Sequence, residues 1–211
     1  MATAPAADSA NHAEQGIASD LLERGWSVCP DFLAAPAWQR LALETAEAWR
    51  TGGFRRGAVG TGPTRQVMPG VRSDYVRWLE PHGCTRTQGA CLRALEGLRL
   101  AINRQLFLGL YAYEGHLTVY PPGACYGRHL DQFRGARHRQ LSCILYLNRR
   151  WTAGDGGQLR LYLGPDGAEP HVDILPRGGT LVCFLSAGFH HEVLPARRRR
   201  MSITGWFRTR A

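Results

Sequence analysis

Apolar residues recur at two spacings along the chain, and the change from one to the other divides it. Ile17, Leu21 and Leu22 fall on one side of a helix from Ile17 to Glu23 that stops at Gly25, after which Trp26-Ser27-Val28-Cys29 predicts a strand. Pro36 stands where a first helical residue would, and Leu41, Leu43, Ala46 and Trp49 give the next helix an apolar side until Thr51-Gly52-Gly53 ends it. A further helix, from about Gln88 to Arg104, carries Leu92, Leu95, Leu98 and Ile102 at near-helical spacing. Beyond it alternation takes over. Seven short strands are predicted: His116 to Tyr120, Leu141 to Leu147, Gln158 to Leu163, Val172 to Leu175, Thr180 to Leu185, His191 to Leu194 and Met201 to Phe207.

Gly-Asp-Gly-Gly, Pro-Asp-Gly and Arg-Gly-Gly separate several of these strands and supply the backbone freedom that tight antiparallel connections need. Helices first and strands afterwards predict an α+β layout in which helices brace a barrel or jelly roll. Residues 1–15 are Ala-rich and polar with no apolar period, so they read as a flexible N-terminal tail ahead of a single domain at 16–211. Gly52 to Gly70 holds six Gly and two Pro with few large apolar residues, a long loop of the kind that often forms a lid. Alternation returns between Arg72 and Glu80.

A length of 211 residues with 44% hydrophobic and 20% charged excludes a disordered chain, and the unperiodic Gly and Pro exclude a collagenous one. No run of eighteen apolar residues occurs and the N-terminus lacks the basic start and apolar stretch of a secretory signal, so a cytoplasmic protein is expected. The six cysteines show no CxxC spacing and read as reduced thiols rather than a zinc or disulfide framework. All 26 basic residues are Arg, and the net charge of +9 is uneven. Seven acids and three Arg leave −4 over residues 1–50, against +13 in the rest. Such a surface favours an acidic partner, whether protein or nucleic acid, although an Arg-biased codon usage accounts for it equally well.

His129-Leu130-Asp131 places two potential metal ligands two residues apart, which in a strand aims both to one face. Alone such a triplet arises often by chance. Another His lies in Phe189-His190-His191-Glu192-Val193, about sixty residues on and across several strands, far enough to return to the same barrel mouth. Two imidazoles and a carboxylate on one face make the ligand set of non-haem Fe(II), with positions left open for substrate and oxygen. An oxygenase of that kind needs a cation for the far carboxylate of a keto-acid cosubstrate, and Arg pairs with carboxylates in a bidentate manner. Arg197 to Arg200 supply candidates. Most of that run is an ordinary solvated cluster, but alternation puts Arg200, Ser202, Thr204 and Trp206 on one face and Met201 and Ile203 on the other.

These segments resemble the Fe(II)- and 2-oxoglutarate-dependent prolyl hydroxylases of the oxygen-sensing type, including bacterial homologues. The similarity runs from Pro30-Asp31-Phe32-Leu33 to the end, through VRSDYVRWLE (71–80), YPPGACYGRHLD (120–131), LSCILYLNRRW (141–151), GDGGQLRLYL (154–163) and HEVLPARRRRMSITGWF (191–207). The resemblance implies a double-stranded β-helix with N-terminal helices packed on one sheet. It also implies Fe(II) held by His129, Asp131 and His191, with Arg200 nine residues beyond the last ligand taking 2-oxoglutarate. The pair His190 and Arg199 keeps the same gap of nine but loses the His-Glu-Val match. Tyr146 matches the tyrosine that helps bind the distal carboxylate, Tyr120 a pocket tyrosine near the metal, and Thr204 a threonine lining the same pocket. Asp74 and Arg139 match a pair tying the mobile loop to the substrate side. Trp206 either borders the substrate prolyl site or packs.

The implied reaction consumes Fe(II)-activated O2 and 2-oxoglutarate, with ascorbate in support, and gives succinate and carbon dioxide beside a hydroxylated prolyl residue. The implied partner is a protein with an exposed proline, elongation factor Tu being a candidate by family analogy, and the chain is expected to act as a monomer without membrane or nucleic acid. Two alternatives remain: a same-fold oxygenase for another residue, a nucleobase or a small molecule, and a non-enzymatic metal- or nucleic-acid-binding module.

Overall fold

The computed structural model describes every residue except 1–5, 61–65, 81, 133–137 and 211. Its elements in chain order are α1 (Ala6–Arg24), β1 (Trp26–Cys29), α2 (Ala35–Arg50), β2 (Arg55–Arg56), β3 (Tyr75–Trp78), α3 (Arg86–Leu106), β4 (Ala112–Tyr120), β5 (Tyr126–His129), β6 (Arg139–Tyr146), β7 (Leu159–Tyr162), β8 (His171–Ile174), β9 (Leu181–Leu185), β10 (His191–Val193) and β11 (Arg200–Arg208). Seven strands form one antiparallel sheet in the order β1-β9-β6-β11-β4-β3-β2, and four form a second, β5-β10-β7-β8. Helices brace the larger sheet, and the two sheets face each other as in a double-stranded β-helix.

Alternation assigns each inner strand two jobs. In β6, Leu141, Cys143 and Leu145 join the core beneath the helices, beside Ile17 and Leu21 of α1, Trp38 and Leu41 of α2, and Leu95, Leu98 and Ile102 of α3. Ile144 and Tyr146 point the other way, into a second core between the sheets with Leu159, Leu161, Val182 and Phe184. α3 begins at a capping box in which Thr85 accepts from Gln88 N at 3.1 Å and Gln88 reaches back to Thr85 N at 3.3 Å.

Three sequence expectations change. α1 begins at Ala6, so most of the stretch read as a tail is helical; its alanines are strong helix formers, and Gly97 of α3 leaves room for the Glu14 carboxylate to lie against that helix. β4 starts four residues before His116 and runs through Gly115, which faces Gly205 of β11. A glycine normally weakens a strand, but the Tyr113 ring lies over both glycines where side chains would otherwise stand. The stretch 52–70 is not loop throughout: it contains β2 and a bridge between Val59 and Gln66, while residues 61–65 lie outside the described residues.

Candidate active site

β5 and β10 are antiparallel neighbours, and their register sets His129 directly opposite His191. Asp131 lies two residues past the end of β5, so strand alternation does not aim it. Its place is fixed instead by Ser142 Oγ of β6, which donates to Asp131 Oδ2 at 2.7 Å and contacts Ser186 Oγ at 2.9 Å. His129 Nε2 then lies 3.6 Å from Asp131 Oδ1 and His191 Nε2 3.5 Å from Oδ2. One potential ligand atom from each of the three residues falls within 4.8 Å of the others. Among the described residues this is the one such grouping of three His, Cys, Asp or Glu side chains.

The protonation states suit a cation. His129 Nδ1 lies 2.8 Å from Gly127 O and His191 Nδ1 3.2 Å from Phe189 O, so in each ring the proton sits on Nδ1 and the Nε2 lone pair faces Asp131. Burial, reinforced by His129 and opposed by Asp131, holds the His191 pKa down to about 4, leaving a neutral donor at pH 7. Burial works to raise the Asp131 pKa, but His191, His129 and the Ser142 hydroxyl hold it far below the usual carboxylate range. Two imidazole nitrogens and an ionised carboxylate fit Fe(II).

Deeper in the same cavity is Arg200, 1% exposed. Its Nε donates to Gly157 O at 2.9 Å, and its guanidinium lies 5.0 Å from the Tyr120 ring and 5.1 Å from the Tyr146 ring. Gly157 has φ of +68° and a Cβ there would press on Ala196 and Arg200, so glycine is required behind the guanidinium. No carboxylate pairs with Arg200 among the described residues, and the buried Arg200 Nη2 and Tyr146 hydroxyl find no hydrogen-bond partner there. Burial pushes the Tyr146 phenol up to about 12, against the pull of Arg200, so it stays a hydrogen-bond donor. An uncompensated buried cation costs several kcal/mol. A carboxylate bound at Arg200 would remove that cost.

The profile of the 2OG-Fe(II) oxygenase superfamily matches residues 115–208, which hold all these groups. A prolyl-4-hydroxylase structure from Pseudomonas putida is 42% identical, with a TM-score of 0.83, over 94% of this chain and 100% of that one. This chain belongs to the prolyl hydroxylases of the 2OG-Fe(II) oxygenase superfamily. Human Egl nine homolog 1 is 32% identical over 194 residues, covering 88% of this chain, and the chain spans 44% of that relative's length. A Trichoplax adhaerens prolyl hydroxylase, solved with a hypoxia-inducible factor peptide fragment, shares the fold at a TM-score of 0.86 and 24% identity. Enzymes of this superfamily use Fe(II), 2-oxoglutarate and O2.

The cavity wall includes Tyr120, Thr204 and Trp206, as alternation in β4 and β11 requires, while Tyr146 lies beside Arg200. Asp74 and Arg139 both face the cavity but do not pair. Asp74 takes Arg72, with Nε to Oδ1 at 2.6 Å and Nη2 to Oδ2 at 2.9 Å, whereas Arg139 takes Glu114 at 2.7 Å and lies 3.5 Å over the Trp206 ring. The nearer partner wins in each case: Arg72 is two residues from Asp74, and Glu114 faces Trp206 from the neighbouring strand.

Sequence reasoning missed Arg72, Tyr126, Trp78 and His116, all on the cavity wall. The strand alternation that flagged Thr204 also flags His116, its partner across β4 and β11. Burial, with Arg72 and Arg139 adding to it against Asp74 and Asp131, holds the His116 pKa down to about 4. Between about pH 6.5 and 4 the unfolded chain therefore takes up protons that folded His116 and His191 refuse, and stability falls as pH drops through that window. His116→Gln should remove a pH-dependent loss on the order of 3 kcal/mol, read as a shallower fall of Tm with acidification in metal-free protein. An unchanged slope would show that His116 is protonated in the folded state.

Proposed function

We propose that the protein is a 2-oxoglutarate-dependent dioxygenase that hydroxylates a prolyl residue in a protein substrate, for which elongation factor Tu is the candidate. The observation that carries this reading is the pairing, in one cavity, of a His129–Asp131–His191 cluster with a buried and unpaired Arg200. Monomeric action in the cytoplasm belongs to the same proposal. Among the described residues no helix is long and apolar enough to cross a membrane.

His129, Asp131 and His191 hold the metal, which when bound supplies the oxygen-activating redox chemistry. Arg200 pairs with the distal carboxylate of 2-oxoglutarate, and the Tyr146 and Thr204 hydroxyls add hydrogen bonds from the same end. Ser142 keeps Asp131 turned toward the two imidazoles. Trp206, Trp78 and Val76 line the cavity with apolar surface, which seats a prolyl ring and excludes water from the reacting carbon. No side chain of this cavity is needed as a general base.

The test is succinate release with and without elongation factor Tu, followed by mass spectrometry of the protein. Substrate-dependent succinate with one oxygen gained on a proline is the expected result. Oxygen on asparagine, a nucleobase or a free metabolite would replace the prolyl assignment while leaving the metal site in place. Salt-sensitive nucleic-acid binding without succinate would favour a non-enzymatic module.

A further inference from the structure

A continuous set of contacts joins the segment before β3 to His129. Arg72 uses all three of its nitrogens: two bind Asp74 at 2.6 and 2.9 Å, and Nη1 donates to Ala58 O at 3.2 Å. The guanidinium thus fixed lies 4.7 Å from the centre of the Tyr126 ring. The same ring stacks on His129, with centroids 3.7 Å apart and planes 15° from parallel. The backbone repeats the connection. Ser73 N donates to Cys125 O at 3.0 Å and Gly127 N to Val71 O at 2.8 Å, laying residues 71–73 along β5. Gly127 O is the acceptor that orients His129 Nδ1.

A metal-ligating imidazole has one soft coordinate, rotation about its own bonds, and its neighbours decide how sharply that coordinate is held. His191 is wedged by Phe184, with centroids 4.7 Å apart, inside the barrel. His129 sits at the strand end, and Tyr126 is the flat surface against it. Arg72 in turn presses on Tyr126 from a position set by Asp74, whose side chain is fully buried. We propose that Arg72 is a positioning residue for the metal: through Tyr126 it couples the docking of residues 71–73 on β5 to the orientation of His129, and so to metal affinity. This rests on the reading of His129, Asp131 and His191 as the metal site. Linkage makes the coupling reciprocal, so metal bound at His129 strengthens the docking of residues 71–73 by the same factor.

The geometry requires Arg in particular. Lys at 72 keeps a cation near Tyr126 and one bond to Asp74 but loses the fork and the tie to Ala58 O. The experiment uses the full chain with Co(II) as a spectroscopic probe, titrated anaerobically, with its ligand-field bands recorded. Arg72→Gln should weaken Co(II) binding by about 10- to 100-fold and shift those bands, with Arg72→Lys recovering part of both. Tyr126→Leu leaves the Arg72–Asp74 pair in place and removes only the stack, so it should act in the same direction; it carries the test if Arg72→Gln does not fold. Hydrogen exchange gives the reciprocal readout. Co(II) should slow exchange at the Ser73 and Gly127 amides of the native chain and much less in either variant. Native affinity and bands in both Arg72→Gln and Tyr126→Leu would overturn the coupling, as would metal-independent exchange at those amides. Co(II) binding that survives His129→Ala undiminished would overturn the metal-site reading itself.

Discussion

His191→Ala should reduce 2-oxoglutarate turnover and stoichiometric iron binding to background, whereas His190→Ala should leave most of both. His191 opens β10 and His190 lies just before it. His191 is 3% exposed and its Nε2 points at Asp131, 3.5 Å away. His190 is half-buried outside the barrel, where its ring packs against Gly167. Removing one of three ligands leaves an incomplete site that the other two cannot close, while removing His190 costs only surface packing. Iron binding by equilibrium dialysis and succinate release by coupled assay check both variants. A dead His190 variant beside an active His191 variant would mean that the strand register is wrong.

Arg200→Lys should raise KM for 2-oxoglutarate by about 10- to 100-fold with iron binding unchanged, because lysine keeps the charge but loses the fork that pairs with a carboxylate. Arg198→Ala should change KM by less than about 2-fold. Arg198 points away from the cavity: Nε binds Asp155 at 3.0 Å, Nη2 donates to Arg149 O at 2.9 Å and Arg150 O at 2.7 Å, and the guanidinium covers Trp151. Its loss should appear in thermal stability instead. Equal effects on KM at both positions would show that the run from Arg197 to Arg200 acts as one diffuse basic surface.

The sequence carries most of this site because the barrel interior is built from strands in which period-2 alternation and side-chain direction coincide. Arg200, Thr204 and Trp206 are legible in that way, and the gap between His129 and His191 follows from the strands that separate them. The helices at Ala35–Arg50 and Arg86–Leu106 are legible from apolar spacing, the first also from Pro36 and the glycines that end it. Elements that depend on distant partners are not. β5 is four residues long, contains a glycine and has no apolar period, so its pairing with β10 and with residues 71–73 makes it a strand. Asp131 is placed by a serine eleven positions away, and Asp74 by a local arginine rather than by the distant one that the resemblance proposes. Single-sequence periodicity reports which face a side chain takes and is silent about which of several nearby cations it meets.

β11 separates two selective pressures within nine residues. Arg200, Thr204 and Trp206 face the cavity, while Ile203 and Phe207 are buried under the helices. Mutational libraries confined to Thr204 and Trp206 of this strand, with His116 across the sheet, sample new acceptor shapes while the helix-side packing stays intact. Libraries at Ile203 and Phe207 sample thermal tolerance with the reacting geometry held. If the cavity seats the acceptor as proposed, a lineage carrying this strand can change what it modifies and how warm it lives through substitutions on separate faces.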